Sequence, residues 1–300
     1  MARLVPSATW IAYLGGLMAL YGIFMALKQT KMRPLLSYHI ISQLGYMVAS
    51  IGIGGEMGIN GGLLHLLNHM VYKTLLLMIA ATVIYLYGSD DLSRQQRKPI
   101  WLLVMAIIAS FAIIGIPPFN GFISKSLIKY ATNGLPLQAI LSVASVGTAV
   151  SFAKFLYFGF IRDLSHSPIK PLTTRKLPVA SLISMLSLTG IIIALGLSSG
   201  LNNALLPYGY SSVYSVNGVF TSLRLAGMGF VLFWLIKPLL DPAMHQQHGH
   251  ARTPAGSIAV VPSHVITSLS VLESHITKLS NAQYLVVTIT TVILLSLFVF

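Results

Sequence analysis

Runs of apolar residues, several about as long as a bilayer is thick, recur along this chain from Trp10 to Phe300, and short stretches between them hold most of the charge. A helix of about 20 apolar residues matches the hydrocarbon layer. Composition agrees: 55% of the residues are hydrophobic, only 8% are charged and the mean hydropathy is +0.79, where soluble domains carry roughly 25% charged residues. The chain reads as an all-α, polytopic integral membrane helix bundle.

The predicted spans are Trp10 to Leu27, Leu44 to Ile53 with semi-polar turns on either side, Leu63 to Tyr87, Ile100 to Ile116, Phe119 to Tyr130, Leu137 to Ile161, Val179 to Leu197, Val216 to Ile236 and Tyr284 to Phe300. No small-residue cleavage site follows the first, which reads as a spanning helix and not a removable leader. At Gly115-Ile116-Pro117-Pro118 the pattern breaks, either as a loop between two spans or as the interruption of one discontinuous helix.

Charge decides between these. With about eight crossings and a discontinuous helix near Pro117-Pro118, one side receives Lys28, Lys31, Arg33, Arg94, Arg97, Lys98, Arg162, Lys170, Arg175, Lys176, Lys237, Arg252 and Lys278, and the other only Arg3 and Lys129. Such a bias predicts the richer side in the cytoplasm, both termini outside, and residence in a cell inner or plasma membrane. Residues 1–240 form the bundle, 241–281 a polar loop with a possible interfacial helix, and 282–300 a C-terminal anchor.

The net charge of +13 would point a soluble protein toward nucleic acid. Here the basic residues lie between apolar spans, where they read as topology signals and contacts with anionic lipid. No nucleic-acid motif accompanies them. With no cysteine, thiolate metal sites and thiol chemistry are excluded, and neither a cofactor nor a redox active site is expected in the chain itself.

Four basic residues fall inside apolar stretches: Lys73, Lys125, Lys154 and Arg224. A charge near the bilayer centre costs roughly 2.5 to 3.5 kcal/mol on insertion scales, so each asks for a polar partner, a wet cavity or a route to the interface. His65, His69 and Lys73 recur every four residues, which places them on one helix face over about 12 Å. Two imidazoles and an amine in a row can orient water and pass protons. A structural hydrogen bond for one histidine is the plainer alternative, and a metal site at His65 and His69 lacks further ligands.

Lys125 follows the Pro/Gly break, where freed backbone groups must be buried in protein or wetted; the plainer alternative is a short loop capped by Asn120 with Lys125 at the headgroups. Lys154 has only Ser151 and Tyr157 for local polarity and predicts contact with a neighbouring helix. His39 stands where cytoplasmic water would reach the interior, or is simply interfacial. Arg224 stays protonated at any working pH and either tunes the potential at the lysines or snorkels.

Three segments, Lys31-Met32-Arg33-Pro34-Leu35-Leu36-Ser37-Tyr38-His39-Ile40-Ile41-Ser42-Gln43-Leu44-Gly45-Tyr46, then His65-Leu66-Leu67-Asn68-His69-Met70-Val71-Tyr72-Lys73, then Gly115-Ile116-Pro117-Pro118-Phe119-Asn120-Gly121-Phe122-Ile123-Ser124-Lys125, resemble the proton-conducting antiporter-like membrane family. That family includes membrane-arm subunits of NADH:quinone oxidoreductase, related membrane hydrogenases, and A- and D-type subunits of multisubunit sodium/proton antiporters. The resemblance is best from Trp10 to Tyr130.

It implies that His65, His69 and Lys73 belong to a central hydrophilic axis and that Lys125 is the titratable residue of the discontinuous helix. It also implies two inverted bundles, of which this chain resembles the C-terminal one, so that a companion polypeptide is expected to supply the other. The function implied first is a proton-translocating subunit of a sodium/proton antiporter, with His39 and Lys154 joining the relay. The alternatives are a proton-pumping subunit of a quinone reductase or hydrogenase and a noncatalytic scaffold.

Overall fold

The computed structural model describes residues 8–93, 98–162, 177–209 and 214–241. The polar loop, the interfacial helix and the C-terminal anchor predicted beyond residue 241 lie outside these residues, as do Arg3, Arg94, Arg97, Lys170, Arg175, Lys176, Arg252 and Lys278.

Among the described residues the regular structure is helical: α1 (Thr9–Lys28), α2 (Met32–Ile53), α3 (Gly55–Tyr87), α4 (Ile100–Ile114), α5 (Asn120–Ala131), α6 (Pro136–Leu156) continued by a π-helical turn (Tyr157–Ile161), α7 (Val179–Leu197), the short α8 (Ser199–Ala204) and α9 (Val216–Leu240). Five have the length and apolarity to cross a membrane: α1, α3, α6 with its π turn, α7 and α9. Helix keeps backbone hydrogen bonds within each segment, as lipid demands. The chain is a multi-pass membrane bundle.

Two ends of the bundle are tied by loop contacts. At the basic end Met32 N–H donates to Asp90 O (2.9 Å), Leu92 N–H to Thr30 O (2.8 Å) and Lys98 N–H to Phe160 O (3.3 Å), while Arg162 pairs with Asp241 at 2.8 Å. At the opposite end Ala8 N–H donates to Gly52 O (2.9 Å), Asn60 Nδ2 to Tyr208 O (2.6 Å), and Tyr130 meets Ser215 (3.1 Å). The segment from Lys98 to Tyr130 therefore starts at one end and finishes at the other. α4 and α5 together make one interrupted crossing, and the described residues cross as α1, α2, α3, α4 with α5, α6, α7 and α9.

The second crossing takes in the semi-polar turns predicted before Leu44 and is helical from Met32 to Ile53. Its polar residues His39, Ser42 and Gln43 are fully buried, so they face protein and their polarity does not break the helix. Pro34 sits in the first turn, where its missing N–H costs nothing.

α1 and α2 pack at backbone contact. A Cβ on Gly45 would lie 2.5 Å from both Ala19 N and Gly15 O, and such small-residue seams are how membrane helices approach closely. The outward faces of α1 and α9 carry exposed Trp10, Leu17, Phe24, Phe220, Val231 and Leu235, suited to lipid.

Gly45→Val is expected to destabilise the bundle by about 1–3 kcal/mol through overpacking, read as a lower unfolding temperature in detergent. Lys98, outside the spans, supplies a pH test. Its ammonium lies 3.3 Å from the Tyr87 ring centroid, a contact that favours the charged form, but burial outweighs it and lowers the amine from 10.5 to about 7. Between these values the unfolded chain holds the proton and the folded one does not, so stability rises with pH across that window. Wild type should gain on Lys98→Met as pH increases; a pH-independent difference would refute it.

Candidate functional site

The interior facing α2, α3, α5 and α6 is polar where a bilayer protein has greatest need of a reason. His39, Gln43, His65, Asn68, Asn120, Ser124 and Ser151 are fully buried, and His69, Lys73 and Lys154 nearly so. The four-residue spacing on α3 does place His65, His69 and Lys73 inward together.

His65 joins two neighbouring helices. Its Nε2 lies 3.1 Å from Gln43 Oε1 and its Nδ1 lies 2.9 Å from Ser124 Oγ. An amide oxygen only accepts, so with these assigned orientations Nε2 carries the proton and the Ser124 hydroxyl donates to Nδ1. That hydroxyl is also 3.2 Å from the Gly121 carbonyl, and its single proton serves one acceptor at a time.

One turn along, Asn68 Nδ2 donates to Asn120 O (2.9 Å), and Asn120 Nδ2 donates to Asn68 Oδ1 (3.1 Å). This reciprocal clamp holds the start of α5 against α3. Asn120 is therefore the first residue of α5 and not the cap of a short loop.

The break explains where Lys125 goes. α4 ends at Gly115 in the left-handed conformation (φ 91°), and prolines 117 and 118 have no N–H to offer its last carbonyls. The Lys125 ammonium takes them, donating to Ile113 O (2.7 Å) and Ile114 O (3.1 Å), where the negative end of the α4 dipole favours a cation. It lies 5.0 Å from the Tyr46 ring centroid. Lys125 is held at the interruption and not at the headgroups. A small cavity of about 50 Å³ opens beside it, lined also by Lys129, Gln138, Ser142, Ser145 and Ser222.

The other interior lysines use the same chemistry. Lys73 donates to Leu36 O on α2, and Lys154 donates to Leu27 O (2.7 Å) and Gln29 O (2.8 Å) at the C-terminal end of α1. Ser151, one turn from Lys154, sits 2.8 Å from His39 Nε2. His39 is in electrostatic reach of Lys73, His69 and Lys125. Lys154 thus belongs beside His39 at the basic end, away from Lys125. Arg224 stands apart from the buried line, exposed on α9, where its charge acts on Lys129.

Several polar atoms in this interior have no partner among the described residues: His39 Nδ1, Ser42 Oγ, Gln43 Nε2, His69 Nε2, Tyr72 OH and Asn120 Oδ1. Buried polar groups of this kind are ordinarily satisfied by ordered water. The roles of Ser124, Gln43 and Asn68 carried no signal in the sequence, since nothing in the spacing says which short polar side chains meet across helices.

Asn68→Leu is expected to cost about 1–3 kcal/mol by stranding Asn120. The double variant Asn68→Leu/Asn120→Leu should be closer to wild type than the sum of the singles. Additive losses in thermal unfolding would show that the clamp is not a unit.

Residues 5–151 match the family described as NADH:quinone oxidoreductase/Mrp antiporter, TM. The D-type subunit of the Na(+)/H(+) antiporter of Alkalihalophilus pseudofirmus is 31% identical over 166 residues, covering 53% of this chain and 34% of that protein. The N-type subunit of the NADH-quinone oxidoreductase of Desulforudis audaxviator is 29% identical over 204 residues, covering 63% of this chain and 40% of its own length. The solved structure of the Mrp complex from a Dietzia species is similar with a TM-score of 0.60 at 21% identity, over 89% of this chain and 30% of that one, a likeness of fold. The chain spans about a third to two-fifths of the length of these two curated relatives, both named as subunits of larger assemblies. The matched segment contains the α3 polar face, its α2 partners and the interrupted helix, and over it this membrane chain is similar to the NADH:quinone oxidoreductase/Mrp antiporter family.

Proposed function

We propose that this chain is a proton-translocating membrane subunit of a multisubunit sodium/proton antiporter. The observation that carries the reading is the buried series of titratable groups and unpartnered polar atoms that leads from Lys154 and His39 to the cavity at Lys125. In this reading protons enter at the basic end near Lys154, Ser151 and His39. They pass by water and side chain through Lys73, His69 and His65, cross Ser124, and load Lys125. From Lys125 they leave through the cavity toward Lys129 and the opposite end. The charge bias assigns the basic end to the cytoplasm.

The amines suit a relay because they rest on carbonyls. A neutral lysine can still donate an N–H to the same oxygen, so proton loss strands no buried carboxylate. Coupling along the line is electrostatic: each change of one pKa unit at a neighbour corresponds to about 1.4 kcal/mol. Sodium linkage and a companion polypeptide carrying the rest of the relatives' length belong to the same proposal.

A proton-pumping place in an NADH:quinone oxidoreductase membrane arm is the second reading, favoured by the longer aligned stretch with the oxidoreductase relative. The two separate on the assembled complex in proteoliposomes. A sodium gradient that drives proton movement without NADH or quinone supports the antiporter; flux that requires NADH and quinone supports the respiratory arm.

Lys125→Ala and Lys73→Ala are each expected to lower proton flux about tenfold or more at matched abundance, in the range ordinary for loss of a proton-transfer group. Lys125→Arg should be equally inactive, because guanidinium keeps the charge but does not release a proton. Wild-type flux in all three would remove the lysines from the path and leave the scaffold reading.

A further inference from the structure

Between the inner polar cluster and the cavity at Lys125 stands the ring of Tyr46. His65, Gln43 and Ser124 are joined to one another, and none of the three lines the cavity. Tyr46 meets both sides. Its ring centroid lies 5.9 Å from that of His65 and 5.0 Å from the Lys125 ammonium, and it forms part of the cavity wall.

The ring is fixed from three directions. Beside it in α2, a Cβ on Gly45 would come within 2.5 Å of Ala19 N and Gly15 O, so the backbone here has no room to move toward α1. Across the bundle the Tyr46 hydroxyl donates to Leu141 O on α6 (2.8 Å). The ammonium of Lys125 adds a third hold, since a cation within about 6 Å of an aromatic centroid is attracted to the ring.

Water is favoured on either side of this ring. The cavity of about 50 Å³ exceeds the roughly 10–15 Å³ that one water needs. On the inner side Gln43 Nε2 and His69 Nε2 have no partner among the described residues, and buried groups of that kind ordinarily bind water. An aromatic ring between two wet spaces is an apolar constriction, and such constrictions gate by drying and wetting.

We infer that Tyr46 is the gate between the inner polar line and the cavity. With the ring in place a proton passes from His65 to Lys125 by way of Ser124, and the lysine is an obligatory stop. Rotation of the ring off Leu141 O joins the two sides by water and lets protons bypass Lys125. Because the backbone is fixed at Gly45, opening is a side-chain rotation and not a shift of α2. As a gate the ring serves the proton path proposed above, and its role rests on that reading.

The test uses the assembled complex in proteoliposomes. Proton leak is measured under an imposed pH gradient, with sodium equal on both sides and neither NADH nor quinone present. Coupled flux is measured separately, and retention of a trapped dye in the same vesicles separates a proton leak from a damaged membrane. Wild type is expected to be tight, and Tyr46→Ala to leak protons about tenfold faster or more, as a dry constriction becomes wet. Tyr46→Phe, which keeps the ring and loses only the hydroxyl, should stay close to wild type. A merely structural role would lower the unfolding temperature of Tyr46→Ala without a leak.

Should Tyr46→Ala fail to assemble, Tyr46→Val, also without a ring, is compared with Tyr46→Phe. No leak in the ringless variant, or an equal leak in Tyr46→Phe, overturns the gate. Coupled flux in wild type together with a tight ringless variant removes the gate and leaves the transport reading. A leak in the ringless variant without coupled flux in wild type does the reverse.

Discussion

Three ammonium groups lie deep in this bundle, and backbone carbonyls hold all three. Lys125 takes the oxygens of Ile113 and Ile114, Lys154 those of Leu27 and Gln29, and Lys73 that of Leu36. For Lys125 and Lys154 these oxygens belong to the last turns of helices, where four carbonyls lack an intrahelical partner and the dipole is negative. Helix ends buried in a membrane and cations buried in a membrane are each costly alone. Here each satisfies the other.

That arrangement organises the surrounding packing. The interruption between α4 and α5 needs a cation at its first half and a clamp at its second, and it has Lys125 and the Asn68–Asn120 pair. Fixing α5 in this way sets Ser124 against His65, and His65 in turn ties α2 through Gln43. The close seam of α1 on α2 brings the end of α1 to Lys154. The buried polar groups are thereby joined by helices that cannot shift independently, which is the property a proposed proton path requires.

Much of this was legible in the sequence because membrane depth makes polar residues rare. The four-residue recurrence of His65, His69 and Lys73 marked an inward face, the Gly-Ile-Pro-Pro stretch marked the break, and the lopsided loop charges marked α4 and α5 as one crossing. The start of α2 was not legible from hydropathy, since a helix that turns Ser42, Gln43 and His39 toward protein looks, residue by residue, like an aqueous boundary. Lys154 was recognisable as a buried amine in need of a neighbour. Its place next to His39 was not, because Ser151 and the end of α1 come together only through the packing of α6.

By itself the sequence determined the class of fold and the identity of the groups that carry charge into the membrane, since both follow from composition and local periodicity: apolar length defines a span, and a lysine within it is conspicuous whatever surrounds it. Only the tertiary structure decided which partners those groups meet. The carbonyls that receive Lys73, Lys125 and Lys154 belong to every residue's backbone and leave no trace in residue identity, and whether Arg224 faces the interior or the outside depends on how α9 is rotated against α6. Partnership across helices is a matter of register and approach, which no single helix encodes.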